Sequence, residues 1–202
     1  MRLIIAAAVG TIVVFLWSVL SWTVLDFWSD QIQPLPAEHA AAVTDAASKV
    51  PASGAYQFPG RPDADRSVEP AERDAAKRTW HDAIRSGPAG VLLVHPGGFE
   101  PAGSSRLFRN FLLEFAGAIL LAVMLGIASR AGAGYAGRLG VGAAAIAFAV
   151  VAGVLVPGNL MVHPSGWTRA LAGDMILGWG LALLVMAAIV RVPRRSGRYA
   201  RS

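Results

Sequence analysis

Four long apolar runs constrain this chain more than any other feature. They cover Leu3 to Leu25, Leu107 to Ala128, Leu139 to Pro157 and Ala170 to Val190. The first and third carry no charge, the second is interrupted by Arg109 and Glu114, and the fourth holds Asp174 near its start. An α-helix rises 1.5 Å per residue, so about 20 residues cross a hydrocarbon layer about 30 Å thick. Inside lipid the backbone must satisfy its own hydrogen bonds, which leaves such runs the helix as their form. The sequence therefore predicts an α-helical integral membrane protein with a four-helix transmembrane bundle. Composition agrees: 54% of residues are hydrophobic and 15% are charged, against about 25% charged in a typical soluble domain.

The remaining chain divides around these runs. Residues 1–25 form the expected first transmembrane helix, 26–106 a small α+β extracytoplasmic insert, 107–190 a three-helix membrane region and 191–202 a basic cytoplasmic tail. The first run is too long for the core of a cleaved signal peptide, and Trp17, Trp22 and Trp28 fit an interfacial belt at its outer end. Basic residues set the orientation. Arg2, Arg130, Arg138, Arg191, Arg194, Arg195, Arg198 and Arg201 fall at one end of the spans. The 26–106 segment carries eight basic and eleven acidic residues, a net of −3. Positive residues are retained in the cytoplasm, so both termini are expected there. The net charge of +5 is then a topology signal, and nucleic acid is not an expected partner. The bilayer is, and the arginine tail can add about 1 kcal/mol per residue near anionic headgroups.

Within the insert, residues 34–49 read as a helix with Pro36 in its first turn. Ala55 to Phe58 reads as a strand stopped by Pro59-Gly60. A second helix opens at Pro70 and ends at Gly87, and Gly90 to Val94 forms a second strand. Two strands alone are marginal in water, so the insert is expected to lean on the bundle, on a second copy or on a partner. The Gly54-Ala-Tyr-Gln-Phe-Pro59 segment, Trp80, Gly87-Pro-Ala-Gly90 and the strand ending before Pro96 are flanked by an anchor and three spans. In this the chain resembles a family of uncharacterised bacterial inner-membrane proteins. The resemblance implies this architecture and location, and no known activity.

Small residues let membrane helices approach closely. Ala118, Ala122 and Gly126 form one stripe, and Gly178 and Ala182 another in line with Asp174. The third span offers two, Ala136, Gly140 and Ala144, and Ala145, Ala149 and Gly153. They suit packing within the bundle or against a membrane-protein partner or a second copy.

Chemistry-bearing residues are sparse. The chain has no cysteine, no P-loop and no G-x-S-x-G elbow. His39, His81, His95 and His163 lack zinc-like spacing, and no cofactor or metal is expected. A dyad of Lys49 with Ser48 or Ser53 would sit at a solvated helix end. The candidate site is a polar cluster at the outer leaflet: Arg109, Glu114, Asn159, His163, Arg169 and Asp174. Two readings apply to it. One is a proton, ion or small-ligand site. The other is a structural network in which Arg109 or Arg169 pairs with Glu114 while Asp174 caps the fourth span. Function is expected to be that of a non-enzymatic accessory, assembly or interaction protein. The alternatives are a small transporter or channel using the Glu/Asp/Arg cluster, and a membrane enzyme acting on envelope substrates.

Overall fold

The computed structural model describes residues 1–25, 28, 30–62, 69–100 and 103–191. The chain forms two compact units, one of residues 1–33 and 102–202 and one of residues 34–101. The basic tail beyond Arg191 and most of the polar loop before Pro70 lie outside the described residues.

The first unit is built from four helices: α1 (Arg2–Thr23), α4 (Ser104–Arg130), α5 (Tyr135–Leu160) and α6 (Ser165–Ile189). Each is long and apolar enough to cross a membrane. Helix α1 packs between α4 and α6, and α5 closes the opposite side against the same two helices. The core is a seam of Ala6, Ala7, Ala118, Ala122, Leu125, Ala182, Met186 and their neighbours. Small residues dominate it because the gain between apolar helices is contact rather than water release. Ala118, Ala122 and Gly126 are all buried, and a Cβ on Gly126 would come within 2.9 Å of Leu3. That stripe packs internally, as does the pair Gly178 and Ala182.

Helix α5 differs. It is the least buried of the four, and it enters the bundle through Arg138, Gly142 and Val150. Both stripes expected on this span lie largely elsewhere. Ala136, Gly140, Ala144 and Ala149 are exposed, and open space surrounds Gly140 and Gly153. A π-helical turn runs over Val151–Leu155, just before Pro157. Proline has no N–H and its ring crowds the preceding turn, so the local ladder loosens.

Two helices extend beyond their apolar runs at the N-terminal end. Helix α4 begins at Ser104 rather than Leu107, and α6 at Ser165 rather than Ala170. An apolar run reports the stretch matched to hydrocarbon, whereas the helical backbone continues through polar first turns. At the other end, Arg138 donates from Nε to Ala187 O at 3.0 Å and from Nη1 to Ala133 O at 2.9 Å. Arg2 donates to Arg191 O at 2.7 Å, and Tyr135 to Leu184 O at 3.1 Å. Three of these four bonds end on carbonyls in or just past the last turns of α6, where a cation also suits the helix dipole.

The second unit has the order α2 (Ala37–Ser48), β1 (Gly54–Phe58), α3 (Pro70–Ser86) and β2 (Gly90–Val94). The strands pair antiparallel, Gly54 opposite Val94 and Phe58 opposite Gly90. Pro70 opens α3 and Gly87, at φ +64°, closes it, a conformation glycine adopts without a Cβ penalty. Trp80 Nε1 donates to Pro59 O at 3.0 Å, tying α3 to the end of β1. Arg61 lies over the Trp80 ring, 5.8 Å from its centroid. Neither α2 nor α3 has a buried residue, and Val94 is the one buried hydrophobic side chain among the unit's described residues.

Candidate functional site

Two consecutive residues of α1 organise the polar interior of the bundle. Ser18 Oγ donates to Glu114 Oε1 at 2.9 Å, and Trp17 Nε1 donates to Asp174 Oδ1 at 2.8 Å. Asn110, one turn before Glu114 on α4, also donates to Oε1 at 2.9 Å. This is the four-residue spacing at which helical side chains meet. The Trp17 ring lies against Gly178, where a Cβ would stand 2.7 Å from Cδ1. Glycine there lets the indole lie close to α6 and reach Asp174, one helical turn away.

Glu114 is 8% exposed, and its second oxygen, Oε2, is buried with no hydrogen-bond partner. The two carboxyls accept from consecutive residues of α1, Glu114 from Ser18 and Asp174 from Trp17. Among the described residues, no cation stands within ion-pair distance of either. Three neutral donors, from Ser18, Asn110 and Trp17, therefore serve a buried Glu114 and a half-buried Asp174. An uncompensated carboxylate in such surroundings costs several kcal/mol, on the order of 2.5–3.5 on insertion scales. That is more than a neutral hydrogen bond returns, at about 1 kcal/mol net.

The two arginines of the expected cluster turn away from the acids. Arg109 Nε donates to Ser105 O at 3.3 Å, and Arg169 Nε to Ser165 O at 3.2 Å. Both are exposed. Helical side chains lean towards their own N-terminus, so each guanidinium points to the N-terminal end of its helix. The expected pairing of Glu114 with Arg109 or Arg169 does not form. Nor does Asp174 cap a helix, because α6 starts at Ser165. At 1.5 Å per residue, Glu114 lies about 15 Å from the start of α4 and Asp174 about 13.5 Å from the start of α6. Asn159 is exposed near the end of α5 and His163 half-buried in the following turn. The hydrogen bonds join neither to the carboxyls. In that turn Val162 has φ +53°, a left-handed conformation that strains a β-branched residue.

The structure thus gathers Glu114 and Asp174, leaves out the other four, and adds Trp17, Ser18 and Asn110. The spacing of Asn110 to Glu114 is a signal the sequence carries. Trp17 and Ser18 sit in an uncharged run where nothing local marks them. Trp17, expected in the interfacial belt, faces Asp174 instead. Trp22 and Trp28 do stack, at 4.6 Å between centroids, with Trp167 5.4 Å from Trp28.

Two other features bear on binding. An open apolar groove of about 820 Å³ lies between α4, α5 and α6, lined by Gly117, Met124, Ala145, Ala149, Met175 and Trp179 among others. Lys49 forms an ion pair with Asp45 at 2.6 Å, and Ser48 bonds the Asp45 carbonyl, so Lys49 and Ser48 do not act as a pair. No group of three or more His, Asp or Glu is placed to hold a metal among the described residues.

No protein-family model, no curated protein and no solved structure matches the chain.

Proposed function

We propose that this chain is a multi-pass protein of a bacterial cytoplasmic membrane and works as a non-enzymatic accessory or assembly subunit. In this reading both termini are cytoplasmic and the 26–106 segment is extracytoplasmic, supported by the distribution of arginine between the two ends of the spans. The bacterial setting rests on the motif resemblance alone.

One observation carries the interaction role. The α2–β2 unit has almost no core of its own, yet it displays an apolar strand: Leu93 is 80% exposed and Val91 is also exposed on the same face. A two-stranded sheet with unpaired edges and apolar side chains offers both backbone and side-chain contacts to a partner strand. The groove beside Ala145 and Ala149 supports a partner within the bilayer, because small residues permit close helix approach.

A photoreactive amino acid at position 93, activated in intact cells, tests the reading. The expected result is one covalent adduct of defined mass, either with a second copy or with another protein. The same probe at exposed Thr79 on α3 gives none. Leu93→Glu should abolish co-purification of that protein without changing the amount of chain in the membrane. A monodisperse monomer in mild detergent, with no adduct at either position, would remove the proposal.

A further inference from the structure

We propose that Glu114 and Asp174 form a binding site for one small cation, a proton or an alkali-metal ion, held at the unpartnered Glu114 Oε2. The inference does not depend on the interaction role.

The hydrogen bonds of the side chains that serve the two carboxyls end on oxygens other than Oε2. From α1, Ser18 donates to Glu114 Oε1 and Trp17 to Asp174 Oδ1. From α4, Asn110 donates to the same Oε1. From α6, Asp174 is the acceptor for Trp17, the residue next to Ser18. Arg109 and Arg169 are bonded to carbonyls of their own first turns. The charged residue of α5, Arg138, is bonded to Ala187 and Ala133 at the other end of the bundle. A buried acceptor in this position lacks both a donor and a countercharge, and one positive charge supplies both. Few oxygens remain free for that cation. A divalent ion needs six or more oxygen ligands, whereas here two lone-pair sites on Oε1 and one on Oδ1 are occupied by N–H and O–H groups. The free oxygen suits a proton taken from water and bonded to Oε2, or a weakly held monovalent ion beside it completed by water.

The test uses the full chain in detergent or lipid nanodiscs. Thermal unfolding is followed while sodium replaces choline at constant ionic strength and pH, and then while pH is varied without sodium. A bound sodium ion should raise the midpoint by roughly 2–4 °C at saturating concentration, and Glu114→Gln should abolish the rise. A proton in its place should give an infrared carbonyl band of a buried carboxylic acid that persists at neutral pH. That band should be insensitive to sodium and lost in Glu114→Gln. Should Glu114→Gln not fold, Asp174→Asn carries the same comparison, and the sodium and infrared responses are read on the parent chain. A parent that shows neither a sodium-dependent midpoint nor a buried-acid band overturns the proposal.

Discussion

The two units of this protein hold together by different means. The helical unit has a continuous seam of alanine, leucine and methionine running between α1, α4 and α6. The α2–β2 unit has one buried hydrophobic side chain, a five-pair ladder and a tryptophan anchored to a carbonyl. In the first, order comes from many close contacts spread along the helices. In the second it comes from a few directional bonds, each of which matters singly. A unit of the second kind has little internal reserve and leaves apolar surface uncovered, which is the physical basis for assigning it a partner.

Substitutions can break or sharpen this contrast. The largest effect is expected from Leu125→Ala, since Leu125 is fully buried in the seam. Its loss leaves a cavity worth about 2–5 kcal/mol, measured as a lower unfolding midpoint in detergent. Trp80→Phe should cost the second unit about 1 kcal/mol, the net worth of the hydrogen bond to Pro59. Faster proteolysis within residues 34–101, with cleavage of the helical unit unchanged, would show that loss. Lys49→Ala removes an exposed i, i+4 ion pair and should change stability by less than about 0.5 kcal/mol. If Leu125→Ala proved as mild as Lys49→Ala, the seam would not be the source of order in the bundle. If Lys49→Ala proved as severe as Trp80→Phe, surface charge would have to be added to the account of the second unit.

Much of this architecture is legible in the sequence for a simple reason. Apolar runs of membrane length, proline at a helix start and glycine at a helix end are local signals, and they place α1, α3, α4, α5 and both strands within a few residues. The starts of α4 and α6 lie ahead of their apolar runs because a hydropathy signal stops where the polar first turn begins. The candidate site is less legible. Glu114 and Asp174 stand out as acids in apolar runs, and Asn110 is marked by its spacing. Trp17 and Ser18 meet them across sequence separations of 157 and 96 residues, which only packing determines. The arginines mislead for a related reason: closeness in sequence to the acids suggests pairing, while the tilt of helical side chains carries the guanidinium groups towards the N-terminal ends of their helices.

The π-turn at Val151–Leu155 has a consequence for how α5 is phased. Such a turn holds one residue more than the regular spiral around it, which amounts to an offset of about 100° in the residue numbering around the wheel between the helical segments on its two sides. Gly140 and Ala144 therefore look in directions that a uniform helical wheel would misassign relative to Asn159. A homologue shorter by a single residue in this stretch would close the turn into ordinary α-helix and leave the Asn159–His163 corner where it is, because the turn holds its extra residue without rotating the segments on either side.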